Sequence, residues 1–500
     1  MTLDLAAADR AATLRRVPLS FGIKAVYGLG NVVDGLSMMS LGTFQFFYFT
    51  AVCGLSNSLA GLAVSLALVV DGIGDPLVGA LSDNARSRIG RRHPFMLGGL
   101  LPMAFGLGLL FSIPQELTGW PLFAYAFATT VMVRVAHSLF NLPYAALGAE
   151  MSDDYAERIS IVATRIFFTV LSQVGCLLLG NGVFMSGAGG LLKRAAYTPF
   201  GWSMGALTFV AGLACILGTL PTLGRLHPTT LPHGNLGLKL LRDAAEVIRN
   251  PAFLVLFFCM TAAFTGLGTA IALTLHMNTY FWALPPNIIL IVLLSSPAGI
   301  LVSVFITGPL VERVEKRLVV LIGLGAISAA LLGLPLLKIF GLIPDKGPVV
   351  NGILIANAFL IAGLIIGTIT IAFQAMMADA ADAHEYQFGT RQEGLYYAGL
   401  NFAVKAAGGL GALIAGVGLD IIHFPVNLAA HHGAAAAIPT ATVNNLGLIY
   451  GVCGGGMLGL ATLIFGFYRL DRGEHRRIQT ALEQRRKAAA DAAAADAPSA

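Results

Sequence analysis

The chain has 500 residues, of which 56% are hydrophobic and only 11% are charged, and its mean hydropathy is +0.77. Soluble globular domains carry about 25% charged residues, so this composition excludes an ordinary soluble domain and indicates a polytopic membrane protein. The five cysteines include no C-x-x-C pair, which predicts neither a disulfide framework nor a metal site, and the net charge of +5 becomes informative only once its charges are placed.

Twelve apolar segments along the chain are long enough for a membrane helix, which needs about 20 residues. The first 20 residues lack a sustained apolar core, so we expect no cleaved signal peptide there. The predicted fold class is an all-α polytopic membrane protein with twelve transmembrane helices in two six-helix bundles. The segments lie at 21–50, 57–82, 94–113, 121–147, 158–185, 202–222, 251–280, 286–309, 318–340, 349–377, 393–422 and 443–468.

Basic residues concentrate in the 2–3, 6–7 and 8–9 connections and after helix 12, whereas the 1–2, 7–8 and 11–12 connections contain no Lys or Arg. The positive-inside rule therefore predicts both termini in the cytoplasm. The low-complexity end of the chain, RRKAAADAAAADAPSA, is predicted to be frayed or disordered. The predicted parts are a cytoplasmic tail (1–20), an N-terminal bundle (21–222), a basic cytoplasmic linker (223–250), a C-terminal bundle (251–468) and a cytoplasmic tail (469–500).

Two acids, Asp71 and Asp75, interrupt the apolar run of helix 2. Their i, i+4 spacing puts both on one helix face, about 16 and 10 Å from the cytoplasmic end of the helix. A charge at such depth costs at least about 2.5–3.5 kcal/mol, and two like charges repel each other. A shared cation, a shared proton or a basic partner relieves this repulsion. The pair therefore predicts a coupling-ion site; structural pairing with arginines such as Arg134 is the competing interpretation.

Three motifs carry a family resemblance: DGIGDPLVGALSDNARSRIGRRHPF in and after helix 2, ADAADAHEYQFGTRQEG after helix 10, and YGLGN in helix 1. Together they resemble the glycoside–pentoside–hexuronide:cation symporters, the melibiose-carrier group of the major facilitator superfamily, over nearly the whole chain. The resemblance implies secondary active symport of a glycoside or small oligosaccharide with H⁺ or Na⁺, by alternating access. It also implies a monomer in the plasma (inner) membrane lipid bilayer, with a small-molecule partner, no nucleic acid, and no cofactor besides the coupling ion.

The same resemblance implies roles for particular residues. Asp71 and Asp75 would bind the coupling cation, Na⁺ included, and Ser138 on helix 4 would donate a further oxygen. Gly74 stands where sodium-using members often have a polar amide, which favours H⁺ slightly while leaving both ions open. Arg165 and Lys405 would bridge the substrate and the helix 2 acids, or neutralise charge without touching substrate.

Further substrate-binding candidates are Asp34, Asn141 and Tyr397. Asp34 lies one residue short of the position where family members carry a sugar-binding acid. Asn141 replaces a sugar-binding aspartate of the melibiose branch, and Ala145 replaces a tryptophan of that branch, which argues against melibiose as the substrate. His137, His276 and Gln374 are interpreted as helix-packing residues that could also line an altered pocket.

The acidic stretch after helix 10 has the residue types of a metal site but is better interpreted as the cytoplasmic 10–11 connection. Its acids would pair with the arginines of the 2–3 connection and hold an outward-facing state. The predicted gating residues are Asp83, Arg91, Arg92, Asp379, Asp382, Glu385 and Arg391.

Two functions compete with sugar symport: a lysolipid-type or other amphiphile carrier of the same superfamily, and a transporter-like receptor without flux. An enzyme is not predicted, because the chain has no P-loop, no G-x-S-x-G motif and no zinc motif. The sequence does not name the substrate.

Overall fold

The computed structural model describes residues 18–495, apart from 86, 88, 153, 188, 226–246, 344–345, 390–392, 430–437 and 471. The described residues form helices and connections, without strands. The helices are α1 (Phe21–Met39), α2 (Asn57–Asn84), α3 (His93–Leu110), α4 (Gly119–Glu150), α5 (Tyr155–Leu177), α6 (Arg194–Thr219), α7 (Pro251–His276), α8 (Pro286–Arg313), α9 (Lys316–Ile339), α10 (Pro348–Phe388), α11 (Glu393–Ile421), α12 (Thr440–Phe465) and α13 (Arg472–Ala495).

Each of the twelve predicted segments corresponds to one of the helices α1–α12. Within the described residues, α2 to α12 are 11 helices long and apolar enough to cross a membrane. α1 is more polar because it carries Lys24 and Asp34, and it continues as wider π-helical turns over Ser40–Gln45 and Tyr48–Val52. Similar π-helical turns follow α5, follow α7 and interrupt α12. The hydropathy pattern did not predict these turns.

The helices form two groups of six. α1 packs on α5 and α6, while α4 packs on α2 and α3; in the second half α7 packs on α11 and α12, and α8 packs on α10. Small residues allow close crossings, as membrane helix packing requires. A Cβ added at Gly99 on α3 would lie 2.5 Å from the Ala136 carbonyl oxygen on α4, and one added at Gly205 on α6 would lie 2.3 Å from the Ala104 carbonyl oxygen.

The two halves meet mainly along α2 and α11. At one end, which we call the closed face (residues 50–58 and 420–429), backbone and side chains of both halves are hydrogen-bonded to each other. At the other end, which carries the 2–3 connection and which we call the open face, an opening of about 670 Å³ lies between α5 and α8. Its lining is apolar except for Arg158. The molecule is therefore closed at one end and open at the other.

The end of the chain corrects one prediction. The helix α13 (Arg472–Ala495) includes residues 485–495, so the prediction of a frayed or disordered tail is wrong for those residues. Alanine has the highest helix propensity, which explains how an alanine-rich segment forms a helix. α13 packs Ile478 and Leu482 against Ala383 of α10. The predicted linker falls largely on residues 226–246, outside the described residues, so the predicted boundaries stay a prediction.

Candidate functional site

The helix 2 acids share two partners from different helices. Ser138 Oγ on α4 lies 2.6 Å from Asp71 Oδ1 and 2.7 Å from Asp75 Oδ1, so the two carboxylates share the single hydrogen of one hydroxyl group. Lys405 Nζ on α11 lies 2.9 Å from Asp71 Oδ2 and 2.6 Å from Asp75 Oδ2. The two carboxylates are thus bridged on one side by a hydroxyl and on the other by an ammonium group. The sequence predicted all four residues as members of one region, and the structure brings them together.

Burial makes this cluster costly unless it is neutralised. Asp71 is only 2% exposed, and the buried Arg134 places its Nη1 3.8 Å from Asp71 Oδ2. A buried charge needs a partner of opposite sign, because desolvation costs several kcal/mol per ion. Two carboxylates facing Lys405 and Arg134 leave no net formal charge. The expected pairing of Arg134 with Asp71 is therefore present together with the lysine bridge.

The bridge joins the two halves of the molecule. Asp71, Asp75 and Ser138 belong to the first six helices, and Lys405 belongs to the second six. At Gly72, a Cβ would lie 3.3 Å from the Phe402 ring and 3.9 Å from Lys405 Cβ, so α2 and α11 are in close contact at this level. Any change in the separation of α2 and α11 at this depth must lengthen or break the contacts of Lys405.

A second polar group surrounds Arg165 on α5. Its Nε donates to Asn31 Oδ1 on α1 at 3.1 Å, and its guanidinium carbon lies 5.0 Å from the centre of the Tyr144 ring. Asn31 Nδ2 in turn donates to Thr169 Oγ1 at 2.6 Å. The sequence predicted Arg165 but missed its three partners. Two signals were available: Asn31 ends the YGLGN motif, and Thr169 follows Arg165 by one helical turn.

The remaining substrate candidates occupy separate positions. Asp34 Oδ1 is 2.9 Å from His137 Nε2. His137, interpreted above as a packing residue, is therefore the partner of the substrate-binding candidate Asp34. Asn141 is half-buried on α4, one turn beyond Ser138. The Tyr397 hydroxyl donates to the Gln374 carbonyl oxygen at 3.1 Å.

The predicted gating arginines lie against acids of their own half. Arg91 Nη2 is 2.6 Å from Glu150 Oε1, and Arg92 contacts both Glu150 and Asp83. Glu150, at the end of α4, was not predicted.

The predicted gating acids of α10 also have partners in their own half. Asp379 Oδ2 is 2.8 Å from Lys316 Nζ, and His475 of α13 lies 3.5 Å from Asp379 and 3.4 Å from Asp382. Arg391 lies outside the described residues. A latch between the two loops was expected for an outward-facing molecule and stays a prediction.

Comparison with known proteins shows the family to which the chain belongs. A sequence profile described as MFS/sugar transport protein matches residues 26–472. The chain belongs to this family. Its symporter resemblance and its major facilitator fold are thereby confirmed, and it is a transporter of the membrane-embedded, multi-pass type rather than an enzyme.

Relatives extend over almost the full length of this transporter. An uncharacterised symporter of Bacillus subtilis, YnaJ, is 26% identical over 93% of the chain and 95% of that relative. The isoprimeverose transporter of Lactiplantibacillus pentosus is 23% identical over 94% of the chain and 92% of that relative. A shorter match to an uncharacterised symporter of Synechocystis, 35% identical, spans 32% of the chain and 30% of that relative.

Among solved structures, the inward-open xylose transporter XylE of E. coli superposes with a TM-score of 0.59 and covers 92% of the chain and 99% of that structure. The identity is 14%, so this likeness concerns the fold alone.

Proposed function

We propose that this transporter is a cation-coupled symporter of a glycoside or small oligosaccharide, working by alternating access. In this proposal it resides in the inner membrane with both termini in the cytoplasm, so the open face is cytoplasmic. One observation carries the proposal: Lys405 from the second half occupies the position between Asp71 and Asp75 of the first half. The family description and the isoprimeverose relative support a sugar as the cargo.

Coupling follows from competition between two cations. The carboxylates attract either the tethered ammonium group of Lys405 or a mobile ion from solution. When the mobile ion binds, it neutralises part of the carboxylate charge, so the attraction between the acids and Lys405 weakens. The contact that holds α2 to α11 at this depth then weakens as well. Ion binding therefore alters the relative free energies of states that differ in the separation of the two halves, which is the requirement for coupled transport.

The choice between H⁺ and Na⁺ depends on the number of oxygen atoms that can coordinate the ion. A proton needs one carboxylate, whereas Na⁺, a hard cation, is held by several oxygens at once. The carboxylates and Ser138 supply oxygens on one side, but Gly74 contributes no side chain, and an added Cβ there would meet open space. This favours H⁺ as the coupling ion, with Na⁺ at Asp71 and Asp75 as the alternative.

Sugar recognition is assigned to the polar groups around Arg165. Arg165 and Asn31 offer donors and an acceptor to hydroxyl groups, and Asp34, Asn141 and Tyr397 add further polar atoms. The Tyr144 ring packs against the guanidinium group of Arg165 and so helps to hold it in place. Lys405, once released from the acids, is available to the substrate, which links sugar binding to ion binding.

Uptake into proteoliposomes tests the proposal. Asp75→Asn preserves size and removes charge, so we expect it to abolish gradient-driven accumulation of labelled sugar while leaving some exchange. The gradient is imposed as ΔpH in one experiment and as ΔNa⁺ in another. Glu116→Gln is the matched control, because Glu116 is an exposed acid between α3 and α4. A mutant that still concentrates sugar as well as wild type would remove Asp75 from the coupling site.

The opening between α5 and α8 favours a second candidate function, transport of a single-chain amphiphile. Its lining includes Ile159, Ile166, Phe167 and Phe305, and Arg158 is its one charged residue. An apolar lateral opening within helices that cross a bilayer would admit an acyl chain. Uptake of a labelled lysolipid in the same proteoliposomes distinguishes the two: transport of lysolipid without sugar favours the amphiphile carrier.

A further inference from the structure

The carboxylate of Asp420 joins the end of α11 in one half to the beginning of α2 in the other. Asp420 lies in the last turn of α11, and its Oδ2 accepts a hydrogen bond from the Ser58 backbone N–H at 2.9 Å. The Ser58 hydroxyl donates to the same oxygen. Asn57 Nδ2 donates to Oδ1 at 3.0 Å and also to the Phe424 carbonyl oxygen at 3.1 Å. Every one of these donors belongs to the first turn of α2.

This arrangement is a helix cap supplied by the other half. The residue before α2, Ser56, makes no side-chain capping bond of its own. The first backbone N–H groups of a helix lack partners within that helix, and a carboxylate is favoured there by the helix dipole. At the end of its own helix, the same carboxylate faces the unfavourable, negative end of the α11 dipole. Asp420 is therefore stabilised by α2 rather than by α11.

The chain around Asp420 is shaped to reach the other half. After α11, His423 and Asn427 adopt left-handed conformations with φ of 53° and 54°, which are uncommon for residues other than glycine. The Asn427 N–H then donates to the Thr50 carbonyl oxygen at 3.0 Å, and the Ala429 N–H donates to the Ala51 carbonyl oxygen at 3.1 Å. A Cβ at Gly54 would come within 3.0 Å of Asn427 Cβ, so glycine permits this approach.

We propose that Asp420 is the positioning residue of the extracytoplasmic gate: it holds the closed face shut by capping α2 across the two halves. This inference rests on the alternating-access cycle proposed above. Opening of this face requires α2 and α11 to separate, so the cap must break in every cycle. The strength of the cap then helps to determine how the carrier divides its time between its two orientations.

Thiol labelling in right-side-out membrane vesicles tests the gate without substrate or ion gradient. Thr50→Cys is the reporter, because Thr50 is 1% exposed and its hydroxyl lies 3.2 Å from His276 Nε2 of the other half. A membrane-impermeant maleimide labels the reporter. We expect Asp420→Ala to raise the labelling rate about tenfold, which corresponds to a change of about 1.4 kcal/mol in the free energy of gate opening. Asp420→Asn retains one acceptor oxygen, so its labelling rate should lie between those of wild type and Asp420→Ala.

Controls separate gating from loss of structure. Cys53 lies in the closed face and would be exposed when the gate opens, so it is replaced by alanine in every variant. Asp420→Ala without the reporter should then label slowly, because Cys176, Cys215 and Cys259 are buried. Fast labelling of native cysteines would mean unfolding and would overturn the assignment. Glu116→Ala, an exposed acid outside the cap, should leave reporter labelling unchanged.

A second variant guards against poor insertion of Asp420→Ala. Asn57→Ala with Ser58→Ala removes the side-chain donors from the other half and should also raise reporter labelling. Unchanged labelling in this variant or in Asp420→Ala contradicts the gate. Because labelling involves no sugar, a failure of sugar uptake would leave this result standing, and the two proposals can fail separately.

Discussion

The hydroxyl of Ser138 contacts both acids of the proposed ion site, so its removal should distinguish the two candidate ions. Its hydroxyl stabilises ionised carboxylates, and a hydrogen bond to a charged group contributes about 1.5–3 kcal/mol. If H⁺ is the coupling ion, we expect Ser138→Ala to change the pH dependence of uptake and to leave uptake independent of Na⁺, because the hydroxyl contacts both carboxylates. If Na⁺ is the coupling ion, the half-saturating Na⁺ concentration should rise by about tenfold or more.

The measurement is sugar uptake against pH and against Na⁺ concentration, for Ser138→Ala and for Ser138→Thr. Threonine keeps the hydroxyl and serves as the control. If Ser138→Ala matches wild type in both titrations, Ser138 is not a member of the ion site.

At the residue scale, the sequence predicts functional residues that stand out by residue type and by depth in the membrane. It misses residues whose role depends on which other helices they contact. Asp71 and Asp75 were identifiable because charge inside an apolar helix is expensive. Lys405 followed from the family motif. Asp420 carried no such signal, because an acid at a helix end is ordinary in sequence; only its position opposite the first turn of α2 makes it unusual. The partners of Arg165 were missed for the same reason.

At the scale of helices, the crossing of α3 and α4 offers a matched pair of adjacent glycines. A Cβ at Gly99 would lie 2.5 Å from the Ala136 carbonyl oxygen and 3.0 Å from the Phe140 nitrogen, whereas a Cβ at Gly98 meets nothing within 4 Å. Overpacking costs about 1–3 kcal/mol. We therefore expect Gly99→Ala to lower the unfolding temperature in detergent by several degrees and Gly98→Ala to leave it nearly unchanged. Equal melting temperatures for the two variants would show that the helices separate at little cost.

Helix positions were predictable from hydropathy alone, since each span needs a long apolar run and the chain offers twelve. The π-helical turns were not, because a widened turn such as Tyr48–Val52 has no hydropathy signature. α13 was missed because its alanine-rich sequence was interpreted by complexity rather than by helix propensity, and because Ile478 and Leu482 find their apolar partner only on α10.

At the scale of the whole molecule, the arginines of the 2–3 connection can pair with acids of their own half or with acids of α10 in the other half. In the present state Arg91 lies 2.6 Å from Glu150 of its own half. When the open face closes, we expect Arg91 to pair also with the acids in the last turns of α10, including Glu385. A double-mutant cycle of Arg91→Ala and Glu385→Ala on uptake rate should then give a coupling of about 0.5 kcal/mol or more.

Glu150→Gln is the informative companion variant for that cycle, because it removes the competing partner of Arg91 without touching α10. Additive effects of Arg91→Ala and Glu385→Ala would contradict the latch. Two six-helix halves and their basic connections were predictable from the sequence; the state that the molecule adopts was not, because it depends on contacts between halves, such as the Thr50 and Asn427 backbone pairing.

The lysine bridge also has an electrical consequence. With Lys405 and Arg134 facing Asp71 and Asp75, the unloaded carrier has no net formal charge at its centre. Its return across the bilayer should therefore depend little on membrane potential. In the proposed symport, the loaded carrier moves one additional positive charge, for which 100 mV supplies about 2.3 kcal/mol. We expect voltage to accelerate loaded uptake of a neutral sugar and to leave the empty return step unchanged. A carrier built in this way uses the membrane potential for the productive half of its cycle and loses none of it on the way back.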